Sequence, residues 1–328
     1  MVISSIDLMD GKVVQLRRGK EKVLECDDAM NLAKEFNKYN EIAVIDLDAA
    51  MGRGDNLKII KDLLKIADCR VGGGIRTIEK AKEIIRAGAN KIIIGSMAFD
   101  KKEINHSFLI DLKKEVGESN IVIALDTYDK EIVAYGWREN LGIGLLTVIK
   151  EFEPYAGEFL FTFVEREGTM QGIDFELVKR IRDITEKKIT VAGGISSIEE
   201  VIALAKMDID VQLGMALYTK KIRLDDVFIE SLNWKNDLIP TVTQDISGTI
   251  LMLAYSNKDS LQKTFETGKM WYFSRSRKEL WFKGKTSGNT QELVKLRADC
   301  DRDAILAVVN QNGNACHTGN FSCFNIRR

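Results

Sequence analysis

The chain has 328 residues, 45% of them hydrophobic and 30% charged, with a formal net charge of −1. That length predicts a domain with its own core plus a smaller module, and near-neutrality excludes a general pull toward nucleic acid or a membrane surface. No signal-peptide pattern or bilayer-length apolar run occurs, and five cysteines without a dense framework point to a reducing cytoplasm.

In chain order, short apolar runs alternate with helical patterns over the first 220 or so residues. Strands are predicted at Val2–Asp7, Ile42–Leu47, Arg70–Val71, Lys91–Ile94, Ile121–Leu125, Phe159–Val164, Lys188–Val191 and Val211–Leu213. Helices are predicted at Asp27–Tyr39, Asn56–Ile66, Thr77–Ala87 and Asp174–Thr185. Ser197 and Glu200 fit a capping box opening the helix after the seventh strand.

At Ile121 to Asp126 the sequence begins a second time. VISSID at the N-terminus ends in Asp7 and runs into a polar turn and an apolar return; IVIALD ends in Asp126 and does the same. Gly73-Gly74-Ile75-Arg76 is answered by Gly193-Gly194-Ile195-Ser196, and Gly95-Ser96-Met97-Ala98 by Gly214-Met215-Ala216-Leu217. Three landmarks, each recurring after about 120 residues, argue for a duplicated half-domain. Eight strands alternating with helices in two halves of four read as an α/β fold, a (β/α)8 TIM barrel. An open doubly wound sheet would leave the repeat unexplained.

In such barrels the chemistry sits where strands end. Asp7 and Asp126 therefore face each other across one mouth, at the ends of strands one and five. The glycines after strands three, four, seven and eight let backbone N–H groups approach a phosphate. Two opposed sites imply a ligand with a phosphate at each end. Tight turns and helix caps would explain any one of these residues, but not the symmetric set.

IDLMDGKVVQL, VIDLDAAMG, GGGIR, IIIGS, ALDTYDKEIVAYGW, EGTMQG and AGGIS together resemble the ProFAR isomerase family of histidine biosynthesis. The resemblance implies an Amadori aldose–ketose rearrangement of ProFAR to PRFAR. It also implies Asp7 as general base and Asp126 as general acid, with Thr162 assisting. Gly73, Gly74, Arg76, Gly95, Ser96, Gly193, Gly194, Gly214 and Met215 would bind phosphate. The related cyclase subunit shares the half-barrel design, but Ser5-Ile6-Asp7-Leu8 and Trp137 resemble the isomerase more. Three positions depart from the family: Gln15 and Met215 where arginine is usual, and Glu167 where aspartate is.

The character changes near Ser231-Leu232-Asn233-Trp234, a junction without a Gly/Ser linker. The chain is accordingly divided at 1–228 and 229–328, the second part a small α+β domain. TILMLAY and MWYFSRSRKELWF read as strands. Cys300, Cys316 and Cys323 offer three thiolates, enough for an open Zn2+ site. Asp299, Asp301 and Asp303 alternate, so on an extended segment they would share one face and suit Mg2+. An EF-hand loop is excluded because its sixth and twelfth positions would be Ala304 and Asn310. His106 reads as a surface residue, and Cys26 and Cys69 as ordinary barrel thiols.

These C-terminal motifs resemble the phosphoribosyl-AMP cyclohydrolase family, with Lys285 where glutamate is common. The resemblance implies hydrolysis of the N1–C6 bond of phosphoribosyl-AMP. It further implies zinc on the three cysteines, magnesium on the three aspartates, a proton-handling or orienting role for His317, and an obligate homodimer. The whole then reads as a bifunctional cytoplasmic enzyme for small phosphoribosyl substrates. The alternatives are a barrel that also accepts phosphoribosylanthranilate, and a barrel kept only as a phosphate-binding scaffold.

Overall fold

The computed structural model describes residues 1–235 and 237–324. It forms two compact units, one of Met1–Phe36 and Glu41–Ile222, the other of Asn37–Asn40 and Arg223–Arg328.

The first unit is a closed parallel barrel. Its strands are β1 (Val2–Met9), β2 (Ile42–Asp46), β3 (Cys69–Gly72), β4 (Lys91–Ile94), β5 (Ile121–Tyr128), β6 (Glu158–Phe163), β7 (Lys188–Ala192) and β8 (Ile209–Leu213). Each pairs in parallel with the next, and β8 returns to β1 through Val2↔Val211. The strands are apolar almost throughout because a parallel barrel is covered on both faces; β6, for example, is buried at every position.

Helix placement follows the apolar periodicity. The predicted helices form at Ala29–Asn37, Leu57–Leu63, Ile78–Arg86 and Phe175–Ile184, each shorter than its pattern because the flanking polar residues serve as caps or turns. Asp174 caps the last of these by accepting from Leu177 N at 3.0 Å. The box of Ser197 and Glu200 is present, opening the helix Ile198–Lys206.

The internal repeat extends to loop structure. After β1 the chain makes an antiparallel hairpin, Lys12–Arg17 with Glu21–Cys26, and after β5 another, Glu131–Ala134 with Glu139–Gly144. Both carry the apolar return visible in sequence. At strand ends the match reaches backbone angles: Gly73 has φ +93° and Gly193 φ +91°. A Cβ on Gly73 would lie 2.1 Å from the Asp46 carbonyl oxygen, and one on Gly193 2.6 Å from that of Phe163. Only glycine fits either position.

A buried ion cluster inside the barrel has no counterpart in the sequence reading. Arg70 on β3 is 1% exposed and bonds Glu158 on β6 and Glu41, while Glu158 also accepts from Lys91 and Thr190. Charges this deeply buried persist only when paired.

In the second unit, β9 (Ile239–Asp245), β10 (Ile250–Ser256), β13 (Gln291–Ala298) and β14 (Ile305–Gln311) form one sheet in the order β10-β9-β14-β13. A separate hairpin joins β11 (Trp271–Ser274) and β12 (Glu279–Phe282). The helix Lys258–Thr267, capped by Asn257, packs Leu261 and Phe265 against Leu251, Met270, Tyr272, Leu296 and Val309. Tyr272 keeps its buried hydroxyl satisfied by Thr243 and Gln291, each at 2.7 Å.

Candidate active sites

The barrel mouth encloses a cavity of about 670 Å³. Asp7, Asp126 and Thr162 line it, as do Gly73, Gly74, Arg76, Gly95, Ser96, Gly193, Gly194, Gly214 and Met215. Asp7, Asp126, Thr162 and the nine residues expected to bind phosphate therefore meet in one cavity. Strand register explains the convergence, since Asp126 on β5 stands directly beside Thr162 on β6.

The two aspartates sit in different surroundings. Asp7 accepts from Ser5 Oγ at 2.6 Å, and desolvation in the mouth pushes its pKa up to about 6 despite that bond. Asp126 accepts from Trp137 Nε1 at 2.9 Å; desolvation raises its pKa too, opposed by bonds from Thr162 and Trp137. A third carboxyl, Glu167, joins them. Desolvation and the neighbouring Asp7 and Asp126 push it up to about 8, so it is neutral at neutral pH.

The two ends of the cavity differ in charge. On the β3 side Arg76 bonds the Ala50 carbonyl at 2.9 Å and Arg138 that of Met51 at 3.3 Å, leaving both guanidiniums with further donors at the rim. On the β8 side the cavity is lined by Gly193, Gly194, Gly214 and Met215, with no arginine among its lining residues there. Gln15 is buried, its amide donates to Val14 O at 3.0 Å, and its Oε1 lies 2.5 Å from where a Gly214 Cβ would stand. Backbone N–H groups of the Gly193, Gly194 and Gly214 turns remain as donors there. Gly95 and Gly214, at matching strand ends, share nearly the same dihedrals, φ/ψ −104°/−101° and −115°/−95°.

In the second unit the three aspartates converge, though not on an extended segment. Asp299–Ala304 is the turn between antiparallel β13 and β14, which must reverse the chain between Ala298 and its partner Ile305. Asp299 Oδ1 accepts from Asp303 N and Ala304 N at 3.0 and 3.1 Å, and Arg302 adopts φ +62° to close the turn. A carboxylate oxygen from each of Asp299, Asp301 and Asp303 lies within 4.8 Å of the others. Lys235 pairs with Asp303 at 2.6 Å.

The cysteines divide two and one. Cys316 bonds Thr318 Oγ1 at 3.0 Å and also Cys323, with Thr318 holding its pKa down. Burial and the neighbouring Cys316 push Cys323 up. Among the described residues Cys300 does not bring its sulfur within 4.8 Å of both others. His317 is exposed beside the pair, and Lys285 is exposed as well. His106 is exposed and bonds the Tyr155 hydroxyl at 3.0 Å. The sulfur pair suits a soft cation and the carboxylates a hard one.

Residues 1–223 match the family model described as Histidine biosynthesis protein. The chain belongs to that family. Residues 252–325 match a second family model, Phosphoribosyl-AMP cyclohydrolase, so two families are joined in one chain. Curated relatives align with the barrel. One from Methanocaldococcus jannaschii is 38% identical over 231 residues, 68% of this chain and 96% of its own length. Another, from Methanopyrus kandleri, is 36% identical over 225 residues, covering 66% and 92%. A third, from Aquifex aeolicus, is 33% identical over 235 residues, covering 69% and 96%. All three bear the name 1-(5-phosphoribosyl)-5-((5-phosphoribosylamino)methylideneamino)imidazole-4-carboxamide isomerase. Among the described residues no helix is long and apolar enough to cross a membrane.

Three partners escaped the sequence reading. Tyr218 donates to the Ser5 carbonyl at 3.0 Å, behind Asp7, and Trp137 reaches back eleven residues to Asp126. Glu167 stood out only as a departure from a family pattern. Its proximity to both aspartates depends on the 3-10 turn Val164–Arg166 after β6, which no periodicity announces.

Proposed function

We infer that the chain is a bifunctional enzyme of histidine biosynthesis that performs two consecutive steps. The C-terminal domain opens the adenine ring of phosphoribosyl-AMP at N1–C6, and the barrel isomerises the product, ProFAR, to PRFAR. The observation that carries the barrel assignment is the pair Asp7 and Asp126, on matching strand ends, facing one cavity flanked by matching glycine turns. A pure scaffold for phosphate would have no use for the two carboxyls. We assign residues 1–228 to the isomerase and 229–328 to the cyclohydrolase; the two family matches fall inside those spans.

In the barrel, a substrate with a phosphate at each end is anchored by the β3–β4 turns, with Arg76 and Ser96, and by the β7–β8 turns, which offer N–H groups alone. Asp126, whose pKa desolvation raises, gives a proton to the ribose ring oxygen as the ring opens. Asp7, ionised above about pH 6, takes the C2 proton. Thr162, hydrogen-bonded to Asp126, orients the acid. A general acid and a general base facing one substrate are what the rearrangement requires.

In the second domain Cys300, Cys316 and Cys323 would hold zinc, and Asp299, Asp301 and Asp303 magnesium. What zinc would supply there is acidity, turning water into a nucleophile near neutral pH. His317 is placed next to the sulfur pair, where a side chain can hand a proton to the leaving nitrogen. Only two of the three thiols meet within one chain, which supports a homodimer that completes each site. A row of half-exposed apolar residues on one sheet face, Val242, Leu253, Leu306 and Val308, offers a surface for that pairing. The protein works in the cytoplasm, where its five thiols stay reduced.

The direct test supplies purified protein with phosphoribosyl-AMP and follows both products by chromatography. Formation of ProFAR and then PRFAR supports the reading; accumulation of ProFAR alone would reduce the barrel to a scaffold. Phosphoribosylanthranilate, offered in parallel, tests for a second substrate.

A further inference from the structure

Gln212 on β8 lines the barrel mouth, and its Oε1 is buried without a hydrogen-bond donor among the described residues. Its place in the repeat makes it an exception. Gln212 stands two residues before Gly214, as Ile93 stands two residues before Gly95 in the other half. Ile93 packs with Val122, Ala124, Leu160 and Ala192, and Ala192 is the register partner of Gln212 on β7. The strand positions just inside the catalytic carboxyls are therefore apolar from β4 to β7 and polar on β8 and β1, through Gln212 and Ser5. The Ser5 hydroxyl is already engaged, donating to Asp7 at 2.6 Å. The isoleucine at the matching position shows that this fold has no need of an amide there. A buried amide oxygen without a donor is costly, and such atoms normally have a partner.

We propose that Gln212 is a substrate-binding residue of the isomerase, its carboxamide bonding the C2 or C3 hydroxyl at the aldose end of ProFAR. This rests on the isomerase reading above. Gln212 and Asp7 lie on adjoining strands, β8 and β1, and line one cavity. Asp7 takes the proton from C2, so the reacting carbon and the hydroxyls flanking it lie on this side of the mouth. A hydroxyl both donates and accepts, so it satisfies the carboxamide in either of its two orientations. The amide also gives a duplicated barrel a way to tell the two ends of its ligand apart. Both ends carry a phosphate, and the matching turns treat them alike. Only one half places a polar side chain under its phosphate turn, and that half lies beside the base. A site built to bond a hydroxyl also rejects analogues that lack it, because the amide is then left unpaired.

The test compares the full chain with Q212M and Q212L, which keep bulk and lose the amide. Both should raise the KM for ProFAR about 10-fold or more, with a smaller change in kcat and no change in cyclohydrolase turnover. Both should unfold at or above the wild-type temperature without ligand, since each removes an unpaired buried amide. Binding is then measured by calorimetry in an Asp126→Asn background, which suppresses turnover, using ProFAR and two analogues that lack the C2 or the C3 hydroxyl. With Gln212 present, one analogue should bind about 10-fold or more weaker than ProFAR; with Q212M, ProFAR and that analogue should bind alike. A wild-type KM in both variants would overturn the proposal. So would an equal loss for ProFAR and both analogues, or unfolding of both variants well below wild type, which would make Gln212 structural. A wild-type chain that leaves ProFAR unchanged overturns the isomerase reading together with this inference. Wild-type turnover matched by both variants overturns the inference alone.

Discussion

Trp137 Nε1 donates a hydrogen bond to Asp126 at 2.9 Å, while the ring of Trp137 closes over Gly19 in the opposite half of the barrel. A Cβ on Gly19 would lie 2.4 Å from that ring. The hairpins after β1 and β5, the most visible products of the duplication, are thus interlocked above the mouth. Trp137→Phe should keep the packing and lose the bond. Hydrogen bonds to a charged group contribute about 1.5–3 kcal/mol. The isomerase kcat is therefore expected to fall roughly 10–100-fold, with cyclohydrolase turnover unchanged. Separate assays of the two half-reactions check this.

The carboxyl cluster sets the pH response of the barrel. Asp7 acts as a base only when ionised, so kcat/KM for isomerisation should decline as pH falls through about 6. Glu167 has a folded-state pKa of about 8, above its ordinary 4.5. A carboxyl raised in this way favours the folded state at low pH and loses that contribution as pH climbs toward 8. Glu167→Gln, which imitates the protonated form, should match wild-type thermal stability near pH 4 and exceed it near pH 9. Calorimetry at the two pH values reads the difference directly.

Arg70 should be the most expensive single charge to remove. Breaking a buried pair leaves an uncompensated ion and typically costs about 3–5 kcal/mol. Arg70→Met strands Glu41 and leaves Glu158 with the Lys91 ammonium and the Thr190 hydroxyl. Urea unfolding of the barrel should show a loss of about 3 kcal/mol or more, whereas exposed pairs such as Lys179 with Glu176 should show almost none.

These cases mark what sequence could and could not reveal. The barrel was legible because strand and helix periodicities are local and because the duplication repeats three landmarks. Asp7 and Asp126 were legible because strand ends define the mouth. Arg70 with Glu158 was not, since β3 and β6 are far apart in sequence and a lone charge in an apolar run carries no sign of its partner. The aspartate trio was read correctly as a cluster but on the wrong backbone. Alternation suggested an extended strand, and the need to reverse between Ala298 and Ile305 made it a turn.

A charge at the apolar sheet face tests the homodimer. Leu253 is 50% exposed and pairs across the strands with Val242. Leu253→Asp should shift the species seen in analytical ultracentrifugation toward monomer and lower cyclohydrolase turnover, leaving isomerase turnover intact. An unchanged sedimentation profile would remove the support for pairing through this face.

The central claim is that one chain holds two chemically independent sites acting in sequence. The most direct measurement is a crossed assay on folded Asp126→Asn and Cys316→Ala proteins supplied with phosphoribosyl-AMP, with zinc content read by elemental analysis. Asp126→Asn should retain zinc and accumulate ProFAR, its isomerisation lowered by about 10²–10⁴-fold or more. Cys316→Ala should lose zinc and leave phosphoribosyl-AMP intact, yet isomerise added ProFAR at the wild-type rate. If either substitution abolished both reactions in folded protein, or if Cys316→Ala hydrolysed phosphoribosyl-AMP normally, the account would be contradicted.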